Sequence, residues 1–155
     1  MYVFDTSIFY VLRIFSPERF PTIWQRIEDL LSTNELTSTR EVLRELERHS
    51  PGGYVGNWIA THSTVFPIPT REELLWVRKI FETRGNVGLV KRKNILNGWP
   101  VADPFVIACA KVNRALIVTQ EDSAKPGARI PYVAKQLGVR SVDFTGFLAR
   151  EGLKY

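Results

Sequence analysis

The chain has 155 residues, 45% of them hydrophobic and 24% charged, the composition of one folded domain rather than a disordered segment. Lys and Arg number 21 against 16 Asp and Glu; the resulting +5 leans moderately towards polyanionic partners. A single cysteine, Cys109, excludes a disulfide framework and a Cys-based zinc centre, and with only two histidines, His49 and His62, a His-rich metal site is not expected either.

Residues 1–5, MYVFD, are apolar and end on an acid, so they predict a short buried strand. The apolar stretch 7–15 follows. Then Ile23, Trp24, Ile27, Leu30 and Leu31 recur at helical spacing, with Pro21 suited to a first turn. Leu36 to Ser38 reads as a brief extended piece and 39–48 as a charged amphipathic helix. A short helix over 54–62 and a strand over Val65 to Ile68, flanked by prolines, come next. Thr70 and Glu73 form a capping-box pattern that opens a helix over 70–83. After 84–100, which carries no firm pattern, Asp103 to Asn113 predicts a helix and Ala115 to Thr119 the best buried strand in the chain. A helix over 131–137, a strand over 141–144 and a helix over 145–151 complete the order. Strands and helices alternate without a tight hairpin, which predicts one α/β domain over 1–155, three-layer α/β/α, with a mainly parallel sheet. No apolar run approaches the roughly 18 residues of a membrane span, and no basic leader precedes Asp5, so a reducing cytoplasm is the expected compartment.

Sites in open α/β sheets lie beyond the carboxyl ends of the strands. Asp5 ends the first predicted strand, Glu121 and Asp122 follow the ALIVT strand, and Asp103 begins the helix leading into it. Topology alone therefore brings three acidic positions to one edge. Singly they have plainer readings: Asp103-Pro104 as a helix N-cap with Pro behind it, Asp5 as a cap, Glu121-Asp122 as a solvated turn. Together they form a cluster whose like charges repel by roughly 4 kcal/mol per pair at 4 Å. Such a cluster is held by cations or by taking up a proton, and an all-oxygen donor set suits Mg²⁺ or Mn²⁺. In helix 39–48 a wheel places Val42, Leu43 and Leu46 on the buried stripe, Glu45 on its border, and Glu41 towards solvent as a capping-box partner of Ser38. Glu45 sits about two turns into that helix, so topology does not by itself carry it to the site.

The order Asp5-Thr6-Ser7, Ser38…Val42-x-x-Glu45-Leu46, Ala102-Asp103-Pro104-Phe105-x-Ile107-Ala108-x-Ala110, then Val118-Thr119-Gln120-Glu121 resembles the PIN-domain nuclease superfamily. Within it, Phe20-Pro21-Thr22-Ile23-Trp24 is similar to an element of a PIN-like group related to VapC-type toxins. The resemblance implies an acidic pocket of Asp5, Glu45, Asp103 and Glu121 that holds one or two Mg²⁺ or Mn²⁺. Ser7 and Thr119 match hydroxyl positions that support the first and last acids. The family's fourth acid is most often Asp, and Asp122 stands beside Glu121. The implied activity is metal-dependent cleavage of RNA, usually by a homodimer, with a small antitoxin protein as partner.

Phosphodiester hydrolysis needs a neutralised phosphate and an activated water, which carboxylates with a divalent metal supply. A basic segment, Lys91, Arg92 and Lys93, is a candidate grip on the RNA backbone, with an ordinary solvated face as its alternative. Core packing is expected of Trp24, Trp58 and Trp76, whereas Trp99 is left open as a stacking residue. Cys109 is expected to pack as a small core residue. Two other classes remain: phosphoryl transfer through the first-strand Asp, whose usual second Asp is here Ser7, and a non-catalytic PIN-like module that binds RNA or protein.

Overall fold

A computed structural model describes residues 1–82, 101–122 and 129–153. The elements run β1 (Tyr2–Phe4), α1 (Thr6–Val11), a 3-10 turn (Leu12–Ile14), α2 (Pro21–Ser32), β2 (Leu36–Thr37), α3 (Arg40–Arg48) and α4 (Gly53–Thr61). A second 3-10 turn (Ser63–Val65) is followed by α5 (Arg71–Glu82), α6 (Asp103–Asn113), β3 (Leu116–Val118), α7 (Ile130–Gln136), β4 (Ser141–Val142) and α8 (Phe144–Arg150). The four strands form one sheet in the order β2-β1-β3-β4, every pairing parallel. The fold is α/β, with helices on both faces of the sheet.

Side chains of a strand alternate faces. Tyr2 and Phe4 point to one side, where both rings meet Phe147 of α8 edge-on at 5.0 and 5.2 Å. That layer is tied to α2 through Arg26, whose Nε lies 2.6 Å from Glu151, and Glu151 also accepts from the Tyr2 hydroxyl. On the opposite face α6 packs on β1 and against α5 and α7. Its Val106, Ile107 and Ala110 are buried with Val3 and Ile117 in the core. Among the described residues no helix is long and apolar enough to cross a membrane.

The elements follow the sequence closely, with three corrections. Val65–Ile68 is not a strand: Ser63–Val65 is a 3-10 turn. The segment lends carbonyls to the chain leaving β2, Val65 O to Ser38 N at 2.8 Å and Pro67 O to Arg40 N at 3.2 Å, but Pro67 has no N–H with which to return a ladder bond. Helix α3 is capped by Thr39, which accepts from Val42 N; Ser38 instead donates its hydroxyl to Phe4 O at 2.7 Å, fastening β2 to β1. The capping position of α6 is Ala102, so Asp103 and Pro104 are its first helical residues. The Thr70–Glu73 capping box forms in both directions, Thr70 N to Glu73 Oε2 at 2.6 Å and Glu73 N to Thr70 Oγ1 at 3.2 Å. Cys109 is buried in the core, and burial pushes its thiol up.

Candidate active site

The chain leaves β1 for β2 on one side and later leaves β3 for β4 on the other. The direction of winding therefore switches between β1 and β3, the place where open α/β sheets form crevices. Asp5 follows β1 and Thr119 follows β3 at this point, and the sheet bond Asp5 N to Val118 O holds them side by side.

Asp5 is buried and dense with donors. Its Oδ1 accepts from Thr6 N at 2.6 Å, and its Oδ2 from the Ser7 hydroxyl at 2.7 Å and the Thr119 hydroxyl at 2.9 Å. The carboxylate caps α1 and bridges the two central strands. Ser7 and Thr119 thus both contact Asp5, and each has a second task. Ser7 Oγ accepts from Gln120 N at 3.0 Å, and Thr119 Oγ1 accepts from Glu121 N at 3.1 Å. One hydroxyl thereby links the first acid to the backbone of the last, as a group with one donor and two acceptor sites can.

Glu45 reaches the same place from α3, which packs beside α1. Its Oε2 accepts from Thr6 Oγ1 at 2.6 Å and its Oε1 from Ala102 N at 2.9 Å. The glutamate ties the start of α1 to the residue immediately before Asp103. Burial raises its pKa and the charge of Asp5 adds to that, against the lowering by its two hydrogen bonds. Asp103 carries the strongest perturbation. Burial, then the charges of Asp5, Glu121 and Glu45, push its carboxyl up to about 8. The fold thus brings these four carboxylates, from four separate stretches of chain, near enough that Asp103 feels the other three.

Glu121 and Asp122 differ in setting. Glu121 is half-buried, acts on Asp103, and caps α7 through Oε2 to Ile130 N at 2.6 Å. Asp122 is exposed. Both line a cavity of about 380 Å³ together with Thr119 and Asp143. Lys91, Arg92, Lys93 and Trp99 lie outside the described residues.

Two features escaped the sequence reading. Thr6 is the hydroxyl that fixes Glu45; its place inside Asp5-Thr6-Ser7 was the available signal. Glu41 is buried rather than turned to solvent, only 5% exposed. Arg40 and Arg44 share its Oε1 at 3.3 and 3.7 Å, and its Oε2 has no hydrogen-bond partner among the described residues.

The donor set suits a hard divalent cation: it is all oxygen, and its crowded charge is expressed in Asp103. Its side chains are not drawn into a cage, and among the described residues no three His, Cys, Asp or Glu groups are arranged to hold a metal. Asp5, Glu45 and Glu121 instead turn oxygens towards protein donors.

Residues 2–155 match the family described as "Domain of unknown function (DUF4411)". The chain belongs to this family. No curated protein and no solved structure matches it. The DUF4411 match spans the strands, the winding switch and all four acids, so the candidate site lies wholly inside the family's own boundaries.

Proposed function

We propose that this DUF4411 chain is a metal-dependent ribonuclease of the PIN-like type, acting in the cytoplasm as the toxin of a toxin–antitoxin pair. The observation that carries the reading is the convergence of Asp5, Glu45, Asp103 and Glu121 at the winding switch, with Asp103 raised to about 8 by burial and its three neighbours. A crowd of carboxylates opposes a polyanionic substrate unless cations neutralise it. Asp5, Asp103, Glu45 and Glu121 would hold Mg²⁺ or Mn²⁺. The bound ion supplies charge neutralisation for the scissile phosphate and a more acidic water.

The chain's own groups have distinct tasks in this scheme. Asp5, pinned by Thr6 N, Ser7 and Thr119, is a fixed anchor whose direction does not depend on a ligand. Glu45 positions the entry to α6, and with it Asp103, through the Ala102 N–H. Asp103 is the group that holds or releases a proton near neutral pH, the range in which a general base is useful. A small antitoxin and a second copy of the chain are the partners this reading expects.

A second reading, a non-catalytic RNA- or protein-binding module, is favoured by the hydrogen bonds that already occupy Asp5, Glu45 and Glu121. Incubation of labelled single-stranded RNA with purified protein separates the two. The ribonuclease reading expects cleavage with Mn²⁺, none with chelator, and loss in Asp5→Asn. RNA that is bound and never cut, at any millimolar Mn²⁺ concentration, supports the module.

A further inference from the structure

Among the described residues the sheet ends at β4, between the α7 layer and the α8 layer. A groove of about 880 Å³ runs along it, within the size range of about 300–1,000 Å³ typical of ligand sites. Its floor is apolar, with Leu116 and Val139, and its rim carries Lys135, Arg140, Arg150 and Tyr132. Among the described residues no acidic residue lines it. All three cations are exposed, and none forms an ion pair among the described residues. Tyr132 is 42% exposed.

The groove does not end blindly. Its wall shares Pro131, Ser141 and Val142 with the 380 Å³ cavity that holds Thr119, Glu121 and Asp122. The groove therefore adjoins a cavity that carries Glu121, one member of the acid cluster, and lies beside the site rather than within it. The two ends differ in what they offer a nucleic acid. The acids repel phosphate, and the cations have no chemistry to perform. Side by side, they give a polyanion an attractive track that passes next to Glu121. An exposed tyrosine beside a basic groove is the pairing used to hold single strands, in which cations follow the backbone and aromatic rings stack bases.

We infer that the β4 edge trough binds single-stranded RNA, with Lys135, Arg140 and Arg150 on its phosphates and Tyr132 against a base, and delivers the strand to the acid site. The inference rests on the ribonuclease reading for its direction, not for the binding itself. It assigns the grip to residues 132–150, distinct from the Lys91–Lys93 segment.

The test is fluorescence anisotropy with a labelled, uridine-rich single strand of about 12 nucleotides, titrated with Asp103→Asn protein at several salt concentrations. Substituting Lys135, Arg140 and Arg150 with Gln should weaken binding at least about tenfold. It should also flatten the log–log salt slope by about 2, since each phosphate contact on a single strand contributes about 0.7. Tyr132→Ala should weaken the single strand at least about fivefold and a duplex of the same length far less. The control Arg71→Gln/Arg78→Gln, on α5, should leave affinity unchanged. Melting temperatures of the exposed-site variants should match the parent, which keeps a folding defect apart from a binding one.

An unchanged slope and affinity in the triple variant would overturn the inference. So would displacement of the RNA by polyglutamate at equal charge, which would make the trough a dock for an acidic peptide. The two readings fail differently. A trough that binds RNA which active protein never cuts defeats the ribonuclease reading alone. Cleavage by a triple variant with unaltered KM defeats the trough alone.

Discussion

The acid site lies beyond the carboxyl ends of the central strands β1 and β3 and the trough along the outer strand β4, and the two are built by opposite rules. At the acid site Asp5, Glu45 and Glu121 turn their carboxylates to protein donors. Asp5 accepts from three residues, Glu45 from two, and Thr119 serves two at once. In the trough the charged groups are exposed and none is held in an ion pair among the described residues. The difference follows from burial. A buried carboxylate without donors is costly, so the fold surrounds it with hydroxyls and N–H groups. An exposed cation costs little, so it can wait for its ligand in water. A site that must hold reacting groups at fixed positions belongs in the first setting, and one that must slide along a substrate in the second.

The largest expected effect breaks the acid side of this contrast. Asp5→Asn or Asp103→Asn should lower RNA cleavage in Mn²⁺ by at least about a hundredfold, near 2.7 kcal/mol in the barrier, while leaving RNA affinity within about twofold. Steady-state rates together with anisotropy check both halves. Equal loss of cleavage and binding would mean that acids and trough are one site, not two.

Next in size is the separation of the adjacent acids. Glu121→Gln should reduce cleavage at least about tenfold, since Glu121 is half-buried and acts on Asp103, whereas the exposed Asp122→Asn should cost less than about threefold. Circular dichroism first establishes that both fold. The reverse order would place Asp122 in the cluster.

A third expectation concerns pH. Asp103 has its folded pKa raised from 3.8 to about 8. The folded state therefore binds more protons than the unfolded one between these values, and stability must fall as pH rises through that window. Melting temperatures without divalent ions should decline from about pH 4 to about pH 8. Asp103→Asn should flatten the decline. An equally steep decline in the variant would assign it to another group.

A pair of stability measurements sharpens the comparison. Thr6→Val removes the hydroxyl from Glu45 and leaves a half-buried carboxylate oxygen short of a donor. It should cost about 1–3 kcal/mol in denaturant unfolding. Lys135→Gln, in the trough, should stay within about 0.5 kcal/mol.

Most of the frame was legible in the sequence because it rests on local chemistry. The Thr70–Glu73 capping box, the Asp103–Asn113 helix and the parallel strand at Leu116–Val118 all follow from short-range pattern. Asp5, Asp103, Glu121 and Asp122 were placed by topology, since parallel strands put all their ends on one edge, whereas Ser7 and Thr119 came from the family resemblance. Glu45 was not: it lies well inside α3, and only the packing of α1 beside α3 brings Thr6 to it. Glu41 was misread for a related reason. A helical wheel assumes one buried face, whereas α3 buries Glu41 as well as Val42 and Leu46. Val65–Ile68 looked like a strand because its composition is apolar, but Pro67 and Pro69 remove donors that a ladder requires. The trough left no periodic signature, because its cations come from α7, the approach to β4 and the end of α8 and meet only in three dimensions.

The central claim is that the four acids form one cation site governed by Asp103. Isothermal titration with Mn²⁺ at pH 7, repeated in buffers of different ionisation enthalpy, measures affinity and proton release together. The account predicts binding with release of roughly one proton, because Asp103 is mostly protonated below its raised pKa and a metal ligand must give its proton up. Asp103→Asn should bind at least about tenfold more weakly and release almost none. Absence of binding at millimolar Mn²⁺, or the same proton release from Asp103→Asn, would contradict it.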